Sequence, residues 1–417
     1  DAPNLVLVVI DTLRSDRLSA YGYARPTSPN LTALATRGVL WSDAWSVAPW
    51  TWPSTASILT GLEPPEHGVL NRFSCHLPET AETLAERLLA AGFATAAVST
   101  NPLISPGQNF QQGFLDFELR PWARATEALP LAEAALERMA DERFFLYLHL
   151  TDPHLPFEPE PEHAQGFVES PAPEGFVLEE LETQVAERDA AWGQAARAYT
   201  SDLYDAEVAA ADAALGRLFA ALARLDLNDQ TLIVVTSDHG EELFEHGRLG
   251  HSHQLFRESL SVPLVAAGPG LPTDQRIDDP VQNVRLLPSV LAWLDLDADP
   301  DLPLALPLTP GRPKSLHFST EVGSWPGERD SARLLARRED DRFTLWSPSR
   351  AEVALYDLAA DPDETVNIAA DRPVVAQRQV TRIDRWWSTR EVARPGGLAG
   401  GADTEAMLRR LGYLEDD

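Results

Sequence analysis

Residues 5–10 (LVLVVI) form a continuous apolar, β-branched run. A run without alternation fits a strand covered on both faces, as in α/β proteins. Similar runs recur at 94–98, 144–150, 231–235 and 262–266. Helical spacing lies between them, over 30–36, 54–59, 80–91, 131–139 and a long stretch from about 202 to 225. In the last, Val208, Ala211, Leu215, Leu218 and Leu222 form one apolar stripe. Strands alternating with helices predict an α/β fold: a large mixed, mostly parallel sheet flanked by helices on both faces.

Two regions break the pattern. Residues 155–190 are rich in Pro and Glu and read as a surface insertion, the kind of loop that shapes access to a site. From about residue 315 short segments at 315–320, 332–336, 343–346 and 353–358 read as antiparallel strands joined by turns. The expected organisation is an α/β domain over 1–310 and a small antiparallel C-terminal subdomain over 311–417. The latter ends in a Gly-rich link, 396–403, and a short helix, 404–411.

The chain has 417 residues and a formal net charge of -30, which leaves no basic surface for nucleic acid or anionic lipid. An acidic protein that handles an anionic ester has to gather positive charge locally, and a bound metal does this. Cys75 is the single cysteine, so no intrachain disulfide forms. No run reaches the roughly 20 apolar residues of a membrane span. The sequence opens at Asp1 without Met, which fits a trimmed or mature chain; location and oligomeric state stay open.

Four polar segments follow apolar runs. Asp11 comes directly after the first strand, where ligands of open α/β sheets collect, although a turn or helix cap also explains it. Asp238 and His239 end the run 231–235, with His246, His251 and His253 close behind, a combination suited to zinc, manganese or a similar ion. In FFLYLHLTDPHLPF, His149 lies inside the strand and reads as a satisfied core residue, while His154 sits at the exit. Asp152 has three readings there: metal ligand, partner that orients a His, or start of the turn before Pro153. In APWTWPSTASILTG, Thr51 to Pro53 read as an exposed turn before a helix that begins near Ser54. A hydroxyl there is either a turn residue or a nucleophile beside a helix N-terminus. Asn101, after the run 94–98, is either a turn residue or a donor to a bound oxyanion.

The segments VVIDTLRSDRLSAYGY, APWTWPSTASILTGLEPPEHGV, LTDPHLPF and TSDHGEELFEHG occur in the order and spacing of one family. Together the chain resembles the sulfatase branch of the alkaline-phosphatase superfamily. LGHSHQLFRESLSVPLV and ALYDLAADPDETVNIA resemble later segments of that branch, so the likeness spans nearly the whole chain. The resemblance implies an alkaline-phosphatase-like fold. It implies Asp11, Asp238 and His239 as ligands of the principal metal, with Thr51 where sulfatases carry the Cys or Ser that becomes formylglycine. His154 and His251 match positions that contact the transferred group or bind a second metal. More distant relatives, the lipid-A phosphoethanolamine transferases and lipoteichoic acid synthases, use a metal-bound Thr.

Where sulfatases read C/S-x-P-x-R, this chain reads Thr51-Trp52-Pro53-Ser54-Thr55. Thr12 replaces the second Asp of the usual Asp-Asp pair, and Asp238-His239 replaces Asp-Asn. These departures shift the expectation away from formylglycine chemistry. The expected enzyme is a metal-dependent hydrolase of phosphate esters (diester, monoester or phosphonate-like), in which a metal-bound Thr51 attacks phosphorus. The catalytic set is Thr51, His154, His251 and Asn101. The metal set is Asp11, Thr51, Asp238, His239, His154 and His251, holding one or two ions, zinc or manganese ahead of calcium or magnesium. The partner is a small anionic ester. The alternatives are a sulfate-ester hydrolase working without formylglycine and a catalytically degenerate binding protein.

Overall fold

The run after Leu5 becomes the middle of an eight-stranded sheet, because each of its faces meets a separate apolar core. Leu5, Leu7 and Val9 point into one core and Val6, Val8 and Ile10 into the other. The computed structural model describes residues 2–71, 73–169, 171–309, 311, 315–324 and 331–390. The sheet contains β1 (Asn4–Ile10), β2 (Gly38–Trp41), β3 (Ala94–Ser99), β4 (Asp116–Leu119), β5 (Phe144–Leu150), β6 (Thr231–Thr236), β7 (Leu264–Ala267) and β8 (Gln275–Ile277). Their order across it is β8-β2-β7-β6-β1-β5-β3-β4. β7 runs antiparallel to β2 and β6, and the remaining pairs are parallel.

Helices cover both faces, as the alternating pattern requires. α1 (Pro29–Thr36), α4 (Ala125–Met139) and α5 (Ala190–Arg224) bury their stripes on the Val6 side. α2 (Thr51–Thr60) and α3 (Leu84–Ala90) lie on the Leu5 side. The stripe Val208, Ala211, Leu215, Leu218 and Leu222 is buried, but α5 starts twelve residues earlier than expected. Its first turns run beneath the insertion 155–190, whose short helices Pro161–Phe167 and Leu181–Glu187 lie along it.

Four antiparallel strands follow: β9 (Leu316–Ser324), β10 (Ser331–Glu339), β11 (Arg342–Ser347) and β12 (Glu352–Asp357). Phe318, Leu334 and Phe343 pack with Trp45, Leu255, Phe256 and Leu260 of the main body. α6 (Pro373–Ser388) closes the outer side through Ile383, Trp386 and Trp387. Trp386 donates its indole N–H to Glu63 Oε2 at 2.6 Å. The expected link 396–403 and helix 404–411 lie outside the described residues.

One buried acid joins the two parts and yields a prediction. Glu364 Oε2 accepts from the Arg257 backbone N–H at 2.8 Å, and burial pushes its pKa up to about 8. The unfolded chain loses this proton near 4.5 and the folded chain near 8, so stability falls as pH rises through that window. Glu364→Gln keeps an oxygen acceptor and removes the proton. Thermal melts are expected to show a smaller loss of Tm between pH 5 and pH 9 in this variant than in the parent. Parallel curves would refute the assignment.

Candidate active site

Neighbouring parallel strands β6, β1, β5 and β3 end at one edge of the sheet, and polar residues take over where their apolar runs stop. After β1, the Asp11 N–H still donates to Leu150 O at 2.8 Å, so the strand ladder places this carboxylate at the strand ends. Thr12 then turns with φ 53°, a left-handed conformation that is rare for a β-branched residue. The turn is fixed from outside. Leu13 N–H donates to Ser237 Oγ at 3.0 Å, and Tyr204 OH donates to Thr12 O at 2.7 Å while accepting from Arg14 N–H at 3.0 Å.

Asp238 and His239 follow β6 and are fully buried. His239 Nδ1 lies 2.9 Å from Gly240 O. A carbonyl can only accept, so Nδ1 carries the proton and Nε2 presents a lone pair. That Nε2 sits 3.3 Å from Asp11 Oδ1, 3.6 Å from Asp238 Oδ2 and 3.3 Å from Thr51 Oγ1.

His149 joins this group. The expectation that it is a satisfied core residue is corrected: its Nδ1 meets Tyr147 OH at 2.8 Å, while its Nε2 has no hydrogen-bond partner and lies 3.9 Å from Asp238 Oδ2. Side-chain ligand atoms of Asp11, His149 and Asp238 lie within 4.8 Å of one another. Asp11 Oδ1 and Asp238 Oδ2 also lack hydrogen-bond partners among the described residues. Burial lowers the His149 pKa to about 4, so the ring is neutral at pH 7. Burial, then Asp238 and Glu241, push Asp11 well above the usual carboxylate range. Crowded buried carboxylates beside the neutral His149 ring and the His239 Nε2 are a donor set that fits a divalent cation.

Thr51 is not on an exposed turn. It is the first residue of α2, all ten residues of which are buried, so the helix begins three residues before the expected Ser54. Pro53 is compatible with a first helical turn because no N–H is needed there. Trp52 anchors the turn by donating its indole N–H to Leu103 O at 2.9 Å, and Ser54 Oγ donates to Asp238 O. Asn101 lies at the site and makes the turn contact. Its Oδ1 accepts from Leu103 N–H at 2.7 Å, as in a turn, and its Nδ2 donates to Asp11 Oδ2 at 2.6 Å while lying 3.5 Å from Thr51 Oγ1.

A row of imidazoles borders this centre. The ring of His251 lies 4.6 Å from that of His239 and 4.7 Å from that of His154. Burial lowers the His154 pKa to about 4 and holds His251 well below its ordinary value. His251 Nδ1 meets Glu241 Oε1 at 2.7 Å across a small hairpin. Glu241, absent from the expected site, is fully buried, and burial raises its pKa to about 7. The only signal for it was its place two residues after His239. Two expected candidates lie elsewhere. Asp152 Oδ2 accepts from Ala125 N–H at 2.8 Å and so caps α4. His246 pairs with Glu258 at 2.6 Å and stacks on Phe256.

The sulfatase family profile matches residues 3–296. The chain belongs to the sulfatase family. A sulfatase of Formosa agariphila is 25% identical over 441 aligned positions, covering 88% of this chain and 83% of that protein. Among solved structures, the phosphonate monoester hydrolase of Agrobacterium radiobacter superposes with TM-score 0.76 at 21% identity, over 94% of this chain and 96% of that one. A protein solved with its substrate D-glucosamine-2-N,6-O-disulfate superposes with TM-score 0.75 at 19% identity, over 94% of this chain and 99% of that one. These structural likenesses support the fold. The sulfatase-family chain is an ester hydrolase, and Asp11, His149 and Asp238 give it a candidate divalent-metal site of the kind the family depends on.

Proposed function

We propose that this protein hydrolyses phosphate esters with one negative charge at the reacting group, diesters or phosphonate monoesters, through the Thr51 hydroxyl. The carrying observation is the surroundings of Thr51 Oγ1, 3.3 Å from His239 Nε2 and 3.5 Å from Asn101 Nδ2 at the buried start of α2. Asp11, His149, Asp238 and His239 would hold a divalent ion, which would supply Lewis-acid activation and offset charge on the transferred group. Zinc or manganese suits the two imidazoles better than magnesium or calcium. Thr51 Oγ1 loses its proton and forms a bond to phosphorus, while the leaving-group oxygen departs on the opposite side and takes up a proton. Water then attacks phosphorus and restores the threonine. Asn101 Nδ2 and the first N–H groups of α2 donate to the oxygens on phosphorus. The neutral rings of His154 and His251 accept the proton of the attacking water.

The state of Arg14 favours a singly charged phosphorus ester. Arg14 approaches the site but is engaged by Asp16, Glu245 and the Glu241 carbonyl, which leaves it little capacity for a dianion. Thr51 has one hydroxyl, so its covalent intermediate has to be opened by water at the transferred atom. The sulfatase relatives favour a second reading, a sulfate ester opened at sulfur by the same hydroxyl. Rates on an aryl phosphodiester, an aryl phosphonate, an aryl phosphate and an aryl sulfate, measured side by side with manganese or zinc, separate the two. The first two are expected to lead by at least about tenfold; a leading sulfate rate would overturn the assignment.

Glu241 Oε1 lies 2.7 Å from His251 Nδ1 and so orients the His251 ring. Glu241→Gln is expected to lower kcat roughly 10- to 100-fold, as removal of ring-orienting carboxylates does, with KM little changed and the acidic limb of the kcat–pH profile displaced. An unchanged kcat would remove Glu241 from the site's working parts.

A further inference from the structure

A cleft of about 400 Å³ lies between the 155–190 insertion and α5, lined by Phe157, Val168, Phe176, Tyr199 and Leu203 together with Glu158. Its size and mostly apolar lining suit a small organic group. Phe157 ties it to the centre described above. Phe157 comes three residues after His154, and three residues of extended chain span at most about 10 Å. The Phe157 ring also packs edge-on against Tyr204 at 5.5 Å, and the Tyr204 hydroxyl donates to Thr12 O beside Asp11. Phe157 of the cleft wall therefore packs on the buried tyrosine that holds the loop carrying Asp11. Phe176 and Tyr199, edge-on at 5.0 Å, build the opposite part of the wall.

Charge narrows the occupant. Between residues 155 and 190 the sequence holds ten acidic residues against one arginine. Glu162, Glu169, Glu174, Glu179 and Glu180 are exposed on this cover. Three neighbouring cations are already engaged: Arg25 by Asp202 and Asp205, Arg188 by the Trp192 face and the Glu174 carbonyl, and Arg197 by the Phe244 face. Within the lining, Glu158 is the one carboxylate and there is no cation. A negatively charged group entering here meets a net acidic surround, whereas an aromatic ring gains apolar contact and an ammonium gains both the carboxylate and the ring faces.

We infer that this cleft seats the leaving group of the substrate, and that this group is an aryl or alkyl moiety that is neutral or cationic and never anionic. The inference rests on the ester hydrolysis proposed above and adds which half of the ester the protein selects. It sets this chain apart from enzymes that act on polyanionic chains, because a polyanion would place further negative charge under the acidic cover.

The test uses the full chain loaded with manganese and four esters of methylphosphonate: phenyl, 4-(ammoniomethyl)phenyl, 4-(carboxymethyl)phenyl and methyl. The methylene spacers keep the aryl leaving groups electronically similar. For the parent protein, kcat/KM for the carboxymethyl ester is expected to fall at least about tenfold below those of the phenyl and ammoniomethyl esters. Phe176→Ala is expected to raise KM for the phenyl ester on the order of tenfold and to leave the methyl ester within about twofold. Glu158→Gln is expected to narrow the gap between the cationic and anionic esters. Tyr199→Ala repeats the Phe176 test should that variant fold poorly. Equal rates on the three aryl esters, or equal losses on phenyl and methyl esters, would overturn the cleft assignment while leaving ester hydrolysis intact. Calorimetry with the product phenols reads the cleft without turnover. Binding of 4-(ammoniomethyl)phenol but not of the carboxymethyl phenol, with no ester hydrolysed, would uphold the cleft and sink the proposed reaction.

Discussion

Thr51→Ala is expected to lower kcat by at least about a thousandfold while leaving metal content and Tm close to those of the parent. Thr51 opens α2 without capping it: the N-cap is Trp50, and alanine is at least as good a helix former. The turn stays anchored by the Trp52 indole on Leu103 O and by Ser54 on Asp238 O. What the substitution removes is the hydroxyl oxygen, 3.3 Å from His239 Nε2, together with one methyl group. Thr51→Ser restores the hydroxyl and is expected to keep activity within about tenfold. Rapid acid quench of the parent with an aryl phosphonate should trap a covalent adduct on the peptide that contains Thr51. An alanine variant with more than a tenth of parental activity would mean that water attacks directly and Thr51 only shapes the pocket.

The same segment shows how far the sequence can be read. The strands that carry the site were legible because they are central: buried on both faces, β1, β5 and β6 are unbroken apolar runs, and their polar exits stand out. The edge strands were missed for the same reason in reverse. β4 (DFEL) and β8 (QRI) lie at the two ends of the sheet, partly exposed, and have no apolar run to show. Pro53 suggested a turn that the structure absorbs into the first turn of α2. His149 was hidden because a histidine between Leu148 and Leu150 looks like any buried strand residue. Only the pairing of β5 with β1, and of β1 with β6, brings it beside Asp238. Glu241 became visible only when its hairpin brought His251 back across the chain. Periodicity reports which face is covered; it does not report which buried polar atom lacks a partner.

Those atoms without partners set the expected response to metal removal. Dialysis against a chelator is expected to abolish turnover and to lower Tm, and zinc or manganese to restore both before magnesium or calcium does. Asp11, His149, Asp238 and His239 are all fully buried, so without an ion two carboxylates face each other in a space that water hardly reaches. Burial first, then Asp238 and Glu241, raise the Asp11 pKa well above its ordinary 3.8. The sign follows: above the unfolded value the ion-free folded chain binds more protons than the unfolded chain, so its stability falls as pH rises. Asp11 would give up that proton on holding an ion, and the cost would go with it. The Tm gap between loaded and stripped protein should therefore widen from pH 5 to pH 8, on top of a mass-action gain of about 4 kcal/mol at a thousandfold excess over Kd. His149→Ala separates the ligand reading of that residue from the core reading. A ligand predicts at least about tenfold weaker zinc or manganese binding with most of the stripped protein's Tm retained. A core residue predicts a lower Tm with unchanged affinity. Identical melts with and without chelator at both pH values would show that the buried carboxylates are balanced by the protein alone, and the case for a metal at this centre would fail.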